Sequence, residues 1–277
     1  MIRYEIGIVE TRNVIKTILD VYGYDFRDYA LTSFKRRLEQ IITDNGLKDA
    51  EGLINRLQNN KEYFDSFLFD IVPESTEMFR DPSLWRALRD EILPDIMKGS
   101  TSKPKIWVSS FDSGEEIYSL AIILKESNLL SDVQIYASYF SDRMVTKIQG
   151  GKMDVKQIEI NEANYLRLNG KHSFADYFKL ANGIATLDTS LITGVNFVKQ
   201  NTLYENTPGG VKLIFFRNQT IYYNQLLQER VLNQISNSLV PGGYIMIGVK
   251  ETLENTNTSN KFTVYNDLEK IYKKKAT

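Results

Sequence analysis

The sequence predicts an α/β fold in which a small all-helical N-terminal domain precedes a parallel, doubly wound sheet with an inserted β subdomain. Three observations favour this fold. Apolar residues recur at spacings of three and four over residues 11–69, which is typical of packed helices. After Lys103-Pro104, strand-like and helix-like segments alternate, which is typical of a parallel sheet. The connection over residues 150–206 is long enough to indicate an inserted subdomain.

The helical segment is interrupted at Gly23 and Gly46, which divides it into a small bundle. One of its helices carries the basic run Lys35-Arg36-Arg37, and Arg56 on another helix is a candidate to join it. Two interpretations remain open. The run is either a solvated helix face or a patch on which an acidic helix docks.

A linker is predicted between the two domains. Pro73 and Pro82 bracket the stretch ESTEMFRD, and each proline disfavours helix in the residue before it. Asp81 is then placed to cap a helix that begins at Pro82. The predicted organisation is a helical domain (residues 1–72), a linker (73–83) and an α/β domain (84–277) with a β subdomain at about 152–200.

The strands of the sheet are predicted from short apolar runs. The four segments are 106–109, 133–138, 213–216 and 244–249, and residues 261–274 are expected to form a closing hairpin. The insert is expected to hold a helix near residues 175–178 and strands at 184–187 and 195–199. Ligands of such sheets bind beyond the carboxyl ends of the strands. The candidate site is therefore formed by segments 109–116, 138–142, 201–203 and 217–222.

Composition excludes several classes of function. The chain has 34 basic and 35 acidic residues, so its net charge of −1 gives no overall attraction to nucleic acid or to an anionic membrane. It has no cysteine, which excludes disulfides, thiolate zinc sites and cysteine nucleophiles, and no metal site is predicted. The first ten residues lack the pattern of a signal peptide, and no run approaches about 18 apolar residues. We expect a soluble, cytoplasmic protein.

Five blocks of the sequence carry a family resemblance. In chain order they are VPESTEMFRDP, IWVSSFDSGEEIYSLAIIL, NFVKQNTL, IFFRNQTIYYNQLLQERVL and LVPGGYIMIGVKETL. In order and spacing the chain resembles the CheR family, the chemotaxis receptor glutamate O-methyltransferases. The resemblance implies a Rossmann-like class I S-adenosylmethionine methyltransferase fold. It also implies S-adenosylmethionine as cofactor and, as acceptor, the side-chain carboxylate of a glutamate on a receptor's cytoplasmic helix.

That reaction needs positioning more than proton transfer. A carboxylate is already a nucleophile at neutral pH, so no general base is required, and the rate depends on aligning it with the methyl–sulfur bond. The chain has a single histidine, His172, which lies in the predicted insert. We interpret His172 as a solvated surface residue.

By matching position, the resemblance implies the site residues. Arg80 and Tyr222 are the predicted catalytic residues, placed near the transferred methyl group and the incoming carboxylate. Glu116 would hold the amino group of the methionyl part, Asn201 would meet the adenine end and Asn218 the methionyl end. The predicted cofactor-binding residues are Thr76, Arg80, Ser110, Glu116, Asn201, Thr202, Asn218 and Gln219.

Structural roles are the alternatives for three of these residues. Arg80 could form an interdomain ion pair. Glu116 could simply stabilise the first turn of a helix, where the helix dipole favours a carboxylate. Tyr222 could pack with its hydroxyl group satisfied elsewhere.

Several positions depart from the family pattern. Phe111 replaces a small residue in the turn after the first strand, and Tyr139 stands where an acid normally binds the ribose hydroxyls. Lys212 replaces an acid, and Thr202 and Gln219 replace apolar residues beside the cofactor. Two explanations remain open. The pocket is rebuilt and still binds the cofactor, or the domain is degenerate and acts as a non-catalytic signalling or interaction protein.

The expected partner is a chemoreceptor's cytoplasmic helices or another acidic helical protein, docked on the helix that carries Lys35 to Arg37. The short turn in LANGIAT, at Asn182-Gly183, predicts that the insert binds no tethering peptide. A small-molecule methyltransferase is disfavoured because the helical N-terminal domain matches the receptor methyltransferases. Neither nucleic acid nor membrane insertion is expected.

Overall fold

The computed structural model describes residues 4–71, 77–109, 114–200, 204–254 and 256–276. The N-terminal domain consists of helices α1 (Ile8–Tyr22), α2 (Leu31–Asp44), α3 (Ala50–Asn59) and α4 (Lys61–Ile71). Apolar faces of these helices pack together, and the rings of Tyr22 and Phe64 stack 3.6 Å apart. The predicted helical bundle is confirmed.

The α/β domain begins with α5 (Pro82–Ala87), which a π-helical turn (Leu88–Ile92) joins to α6 (Leu93–Met97). The prediction that the Asp81 side chain caps α5 is wrong. Asp81 occupies the capping position with a φ of 58°, and its main-chain oxygen accepts from Leu84 N at 2.9 Å. Its carboxylate instead accepts a hydrogen bond from Arg217.

The remaining helices are α7 (Glu115–Glu126), α8 (Asp142–Gln149), α9 (Ile158–Arg167) and α10 (Gln225–Ser238).

The main sheet has seven strands in the order β6-β2-β1-β7-β8-β10-β9. Its strands are β1 (Lys105–Val108), β2 (Gln134–Tyr139), β6 (Asn196–Lys199), β7 (Val211–Phe216), β8 (Leu239–Ile247), β9 (Phe262–Asn266) and β10 (Ile271–Lys274). The first five strands of that spatial order pair in parallel, and β10 is antiparallel to both β8 and β9. This is the predicted α/β fold, with β9 and β10 as the closing hairpin.

A second, antiparallel sheet has the order β3-β5-β4, formed by β3 (Lys152–Met153), β4 (Phe178–Ala181) and β5 (Ile184–Leu187). The insert was expected to include the strand near residues 195–199. That segment is β6, which pairs with β2 in the main sheet, so the small sheet ends at Leu187. The helix expected near residues 175–178 is a single 3-10 turn, Phe174–Tyr177. Asn182 and Gly183 both have positive φ, 51° and 73°, as a two-residue hairpin turn requires.

The strand order locates a binding edge. From β1 the chain proceeds outward through β2 and β6, then returns to the other side of β1 through β7 and β8. The order therefore reverses between β1 and β7, and the loops that follow these two strands diverge from one crevice. A ligand of this fold binds in that crevice.

The helical domain contacts this edge through the loop after β7. Ala30 N donates to Tyr222 O at 2.8 Å, and Asn224 N donates to Asp28 O at 2.9 Å. These two bonds flank an isolated antiparallel bridge between residues 29 and 223. The segment before α2 is thereby fixed beside Tyr222.

A second contact joins the helical domain to the start of α8. The carboxylate of Asp65, on α4, accepts hydrogen bonds from Asp142 N at 2.8 Å and Arg143 N at 3.0 Å. It therefore caps a helix of the other domain and satisfies amides that have no partner within that helix. No described helix has the length and apolar character needed to cross a membrane.

Candidate active site

The centre of the candidate site is a buried arginine at the end of β7. The side chain of Arg217 is 1% exposed, and its guanidinium donates to Glu116 Oε1 at 2.7 Å. It also donates to the carboxylate of Asp81 and, at 3.4 Å, to the main-chain oxygen of Arg80. One side chain thus ties together the interdomain segment, the start of α7 and the loop after β7.

The position of Glu116 depends on the turn before α7. Gly114 precedes the helix with a φ of 103°, a conformation that side chains rarely adopt. A Cβ atom there would lie 2.9 Å from Cγ1 of Ile148, so the turn can pack against α8 only as glycine. Glu116 then falls in the first turn of α7 with its side chain 4% exposed.

Arg80 lies beside this ion-pair network. Its main-chain oxygen accepts from Trp85 Nε1 at 2.9 Å as well as from Arg217. Its guanidinium forms no salt bridge with any residue that the structure describes. The alternative of an interdomain ion pair for Arg80 therefore gains no support from the described part of the chain.

The loop after β7 carries three predicted site residues, and a glutamate that the sequence analysis missed holds it in place. Asn218 adopts a φ of 55°, and its backbone N–H donates to Glu251 Oε2 at 2.7 Å. Thr220 donates to Glu251 Oε1 through both its backbone N–H and its hydroxyl group, each at 2.7 Å. Gln219 lies between them, and its side-chain nitrogen donates to Arg217 O at 3.3 Å.

A small cavity of about 40 Å³ lies between the two domains, with room for about one water molecule. Its walls include Gln219 and Tyr222 on one side and Phe26, Phe34 and Arg37 of the helical domain on the other. Two predicted site residues therefore share a cavity with a residue of the basic helix.

The end of β2 carries Tyr139, at the position where the family resemblance predicts an acid. Burial raises the pKa of Tyr139 above its ordinary value of 10.0, so this position presents a neutral hydroxyl group. The ring lies edge-on to Phe197, with centroids 6.4 Å apart. Asp142, the nearest acid in sequence, is the first residue of α8, and its carboxylate accepts from Lys199 Nζ at 2.6 Å.

Another aromatic side chain lies beside the end of β1. Tyr204 is buried, and its hydroxyl group donates to Ser109 O at 3.2 Å. Its ring makes edge contacts with Trp107 and Phe216, at centroid distances of 5.8 and 5.7 Å. The ends of β1 and β7 are therefore joined by a buried aromatic cluster.

Arg80, Glu116 and Asn218 are brought together around Arg217, whereas Gln219 and Tyr222 line the interdomain cavity. The other predicted site residues, Thr76, Ser110, Asn201 and Thr202, lie outside the described residues, as does Phe111. Arg217 and Glu251 were missed, although both stand in the quoted blocks. For Arg217 the available signal was a charged residue directly after an apolar strand, whereas Glu251 lies four residues after the end of β8 and carried no such signal.

The charges at this edge fit a cationic ligand. Within the ion pairs of Arg217, one guanidinium meets the two carboxylates of Glu116 and Asp81, an excess of negative charge that suits an ammonium or sulfonium group. Nε of Arg217 is buried and has no hydrogen-bond partner in the part of the chain that the structure describes. Among the described residues, no group of His, Asp or Glu side chains is placed to hold a metal ion.

Comparison with known proteins covers both domains. Residues 10–72 match the family model described as the CheR methyltransferase all-alpha domain, and residues 74–268 match the CheR methyltransferase SAM binding domain. The Pseudomonas putida protein Cher3 is 30% identical over 96% of this chain and 97% of its own length. A chemotaxis protein methyltransferase of Vibrio parahaemolyticus is 28% identical over 86% of this chain and 85% of its own. The magnesium protoporphyrin IX methyltransferase of Synechocystis, a solved structure, has 9% identity and a TM-score of 0.37, covering 78% of this chain and 94% of that one.

Proposed function

Because the chain belongs to the CheR methyltransferase family, we propose that it transfers methyl groups from S-adenosylmethionine to glutamate side chains of chemoreceptors. The observation that carries this proposal is the Arg217 network. It holds Glu116 and the Arg80 segment together at the point where the strand order reverses. Of the residues that the family resemblance assigns to the reaction, those that the structure describes cluster at this edge.

In the proposed mechanism the protein orients two reactants. When bound, S-adenosylmethionine supplies a methyl group on a sulfonium, which a carboxylate oxygen takes by in-line displacement as the sulfur–carbon bond breaks. Glu116 would hold the ammonium group and Asn218 the methionyl end. The guanidinium of Arg80 would attract the acceptor carboxylate, and Tyr222 would complete the wall beside it. No residue has to accept a proton, because the acceptor is already ionised.

The test of this proposal is methyl transfer to a receptor. We expect labelled methyl groups from S-adenosylmethionine to appear, as alkali-labile esters, on the cytoplasmic helical fragment of a chemoreceptor from the same organism. Replacement of Arg80 by alanine should lower kcat by roughly 10²-fold, the scale for losing one positioned charge donor. Arg12→Ala, on the exposed surface of α1, is the matched control. Label that survives alkali, or equal turnover by Arg80→Ala, would contradict the proposal.

One observation favours the second candidate, a non-catalytic binding protein on the same fold. Tyr139 offers a neutral hydroxyl group where the family has an acid, and the carboxylate of Asp142 is already engaged by Lys199. Loss of a charge-assisted contact to the ribose would weaken binding by about 1.5–3 kcal/mol. A folded protein that binds receptor fragments but no S-adenosylhomocysteine would favour this candidate.

We further propose that the receptor helices dock on α2. Arg36 is exposed on this helix, and Lys35 pairs with Glu39 on the same helix at 3.7 Å. Arg37 lines the cavity that also contains Tyr222, so a chain lying on α2 would reach the proposed methyl-transfer site. Arg56 is on α3, and its guanidinium carbon lies 4.1 Å from the centroid of the Tyr63 ring on α4.

Reversing the charge of Arg36 should test the docking. For Arg36→Glu we expect KM for the receptor fragment to rise about tenfold with little change in kcat, because the residue would attract the partner without touching the reacting atoms. Added salt should reduce the difference between variant and wild type. Arg12→Glu, on α1, is the charge-matched control. A change in kcat alone, or equal KM values, would overturn the assignment.

A further inference from the structure

Glu251 is a buried acid that neither the sequence analysis nor the proposed mechanism uses. It is 5% exposed and follows the end of β8. Its Oε2 accepts from Asn218 N at 2.7 Å and from Gly248 N at 2.6 Å, and its Oε1 accepts twice from Thr220 at 2.7 Å. Four donors therefore converge on one carboxylate.

The stabilisation of this carboxylate comes from neutral donors. No lysine or arginine among the described residues pairs with Glu251, although burying an unpaired carboxylate is costly. Three of its four donors are backbone N–H groups, which form a small anion-binding nest around it. A carboxylate retained in such a place satisfies amides that an apolar side chain would leave unpaired.

Those amides belong to the loop that carries predicted site residues. Asn218 is in the left-handed region, with a φ of 55°, and residues 220–222 form a single 3-10 turn. Without Glu251 as a shared acceptor, the backbone N–H groups of Asn218 and Thr220 would lose the hydrogen bonds that stabilise this loop conformation. The side chains of Asn218 and Tyr222 are presented from this loop.

The loop over residues 217–222 and the segment after β8 approach each other closely at Gly248, which has no side chain. A Cβ atom at this position would lie 2.5 Å from Asn218 Oδ1 and 2.8 Å from Glu251 Oε2. A side chain there would therefore displace the side chains of Asn218 and Glu251 and disturb the contact between the loop and the end of β8. The absence of a side chain lets the two segments share the carboxylate.

We propose that Glu251 is a positioning residue that fixes the loop over residues 217–222 in the conformation that binds cofactor and acceptor. The inference rests on the proposed function, because it concerns the same site. Glu251 acts through hydrogen bonds to the loop and touches neither reactant.

The test is Glu251→Gln, with Glu254→Gln as the matched control. The amide NH2 of glutamine would face at least one backbone N–H that now donates to a carboxylate oxygen, whereas Glu254 is exposed three residues later. We expect amide hydrogen exchange in residues 217–223 to accelerate at least tenfold in Glu251→Gln while that of β7 stays unchanged. The Kd for S-adenosylhomocysteine should rise at least tenfold. Both values should match wild type in Glu254→Gln.

A graded variant separates positioning from general stability. Thr220→Val removes only the hydroxyl donor, so its effects on loop exchange and on Kd should both be smaller than those of Glu251→Gln. Faster exchange throughout the chain, unchanged loop exchange, or a loosened loop with unchanged Kd would each overturn the inference. If wild type binds no S-adenosylhomocysteine, the proposed function fails with the binding half of the inference. The exchange comparison then still decides whether Glu251 holds the loop.

Discussion

Replacement of Arg217 by methionine is expected to lower the free energy of unfolding by about 3–5 kcal/mol and to abolish cofactor binding. The variant leaves the carboxylate of Glu116, 4% exposed, without the cation that now lies 2.7 Å away. It also releases Asp81 and the main-chain oxygen of Arg80. Chemical denaturation and calorimetric titration with S-adenosylhomocysteine measure the two effects.

A double variant distinguishes loss of fold from loss of function. In Arg217→Met/Glu116→Met the buried charges are removed together, and replacing a buried ion pair by apolar side chains is often nearly neutral for stability. We expect this variant to regain most of the lost stability but to bind no S-adenosylhomocysteine. Arg12→Met, on the exposed face of α1, should match wild type. A single variant that unfolds within 1 kcal/mol of wild type by the same measurement would show that the network is not structurally important.

The second large effect is a gain of affinity. Replacing Tyr139 by aspartate together with Phe111 by alanine is expected to tighten S-adenosylhomocysteine binding by roughly 10- to 100-fold, as one or two charge-assisted hydrogen bonds would. The aspartate would return a carboxylate to the end of β2, next to Lys199 in the paired strand β6. Alanine would return a small residue to the turn after β1. Calorimetric titration measures both changes.

Asparagine at residue 139 is the control for charge. Tyr139→Asn with Phe111→Ala keeps the shape of aspartate without its charge, so we expect it to gain less than the aspartate variant. If both variants gained equally in affinity, the volume of the two original side chains, and not the missing charge at residue 139, would limit the binding of S-adenosylhomocysteine. No gain in either variant would show that the site has changed beyond these two side chains and would favour the non-catalytic candidate.

The fold was predictable because its signals are local. Apolar runs such as 106–109 and 213–216 predict the ends of β1 and β7 to within two residues. The segment 195–199 shows the limit of such signals. A short apolar strand has the same sequence pattern in an inserted hairpin and in a parallel sheet, and only its pairing with β2 assigns it to the main sheet.

The site was less predictable because its geometry depends on distant partners. Asp81 has the residue type and position of a helix cap, yet its carboxylate binds Arg217, which is 136 residues away in sequence. Glu251 looks like an ordinary polar residue after a strand until the loop over residues 218–220 converges on it. Spacing within a motif identifies candidate residues, but it does not show which distant, buried side chain or backbone group each residue contacts in the folded chain.

Calorimetric titration of the wild-type chain with S-adenosylhomocysteine tests the central claim most directly, namely that the crevice between β1 and β7 still binds the cofactor. The account predicts saturable binding at one site per chain, lost in the stable Arg217→Met/Glu116→Met variant. A folded wild type that gives no heat at millimolar ligand would contradict it.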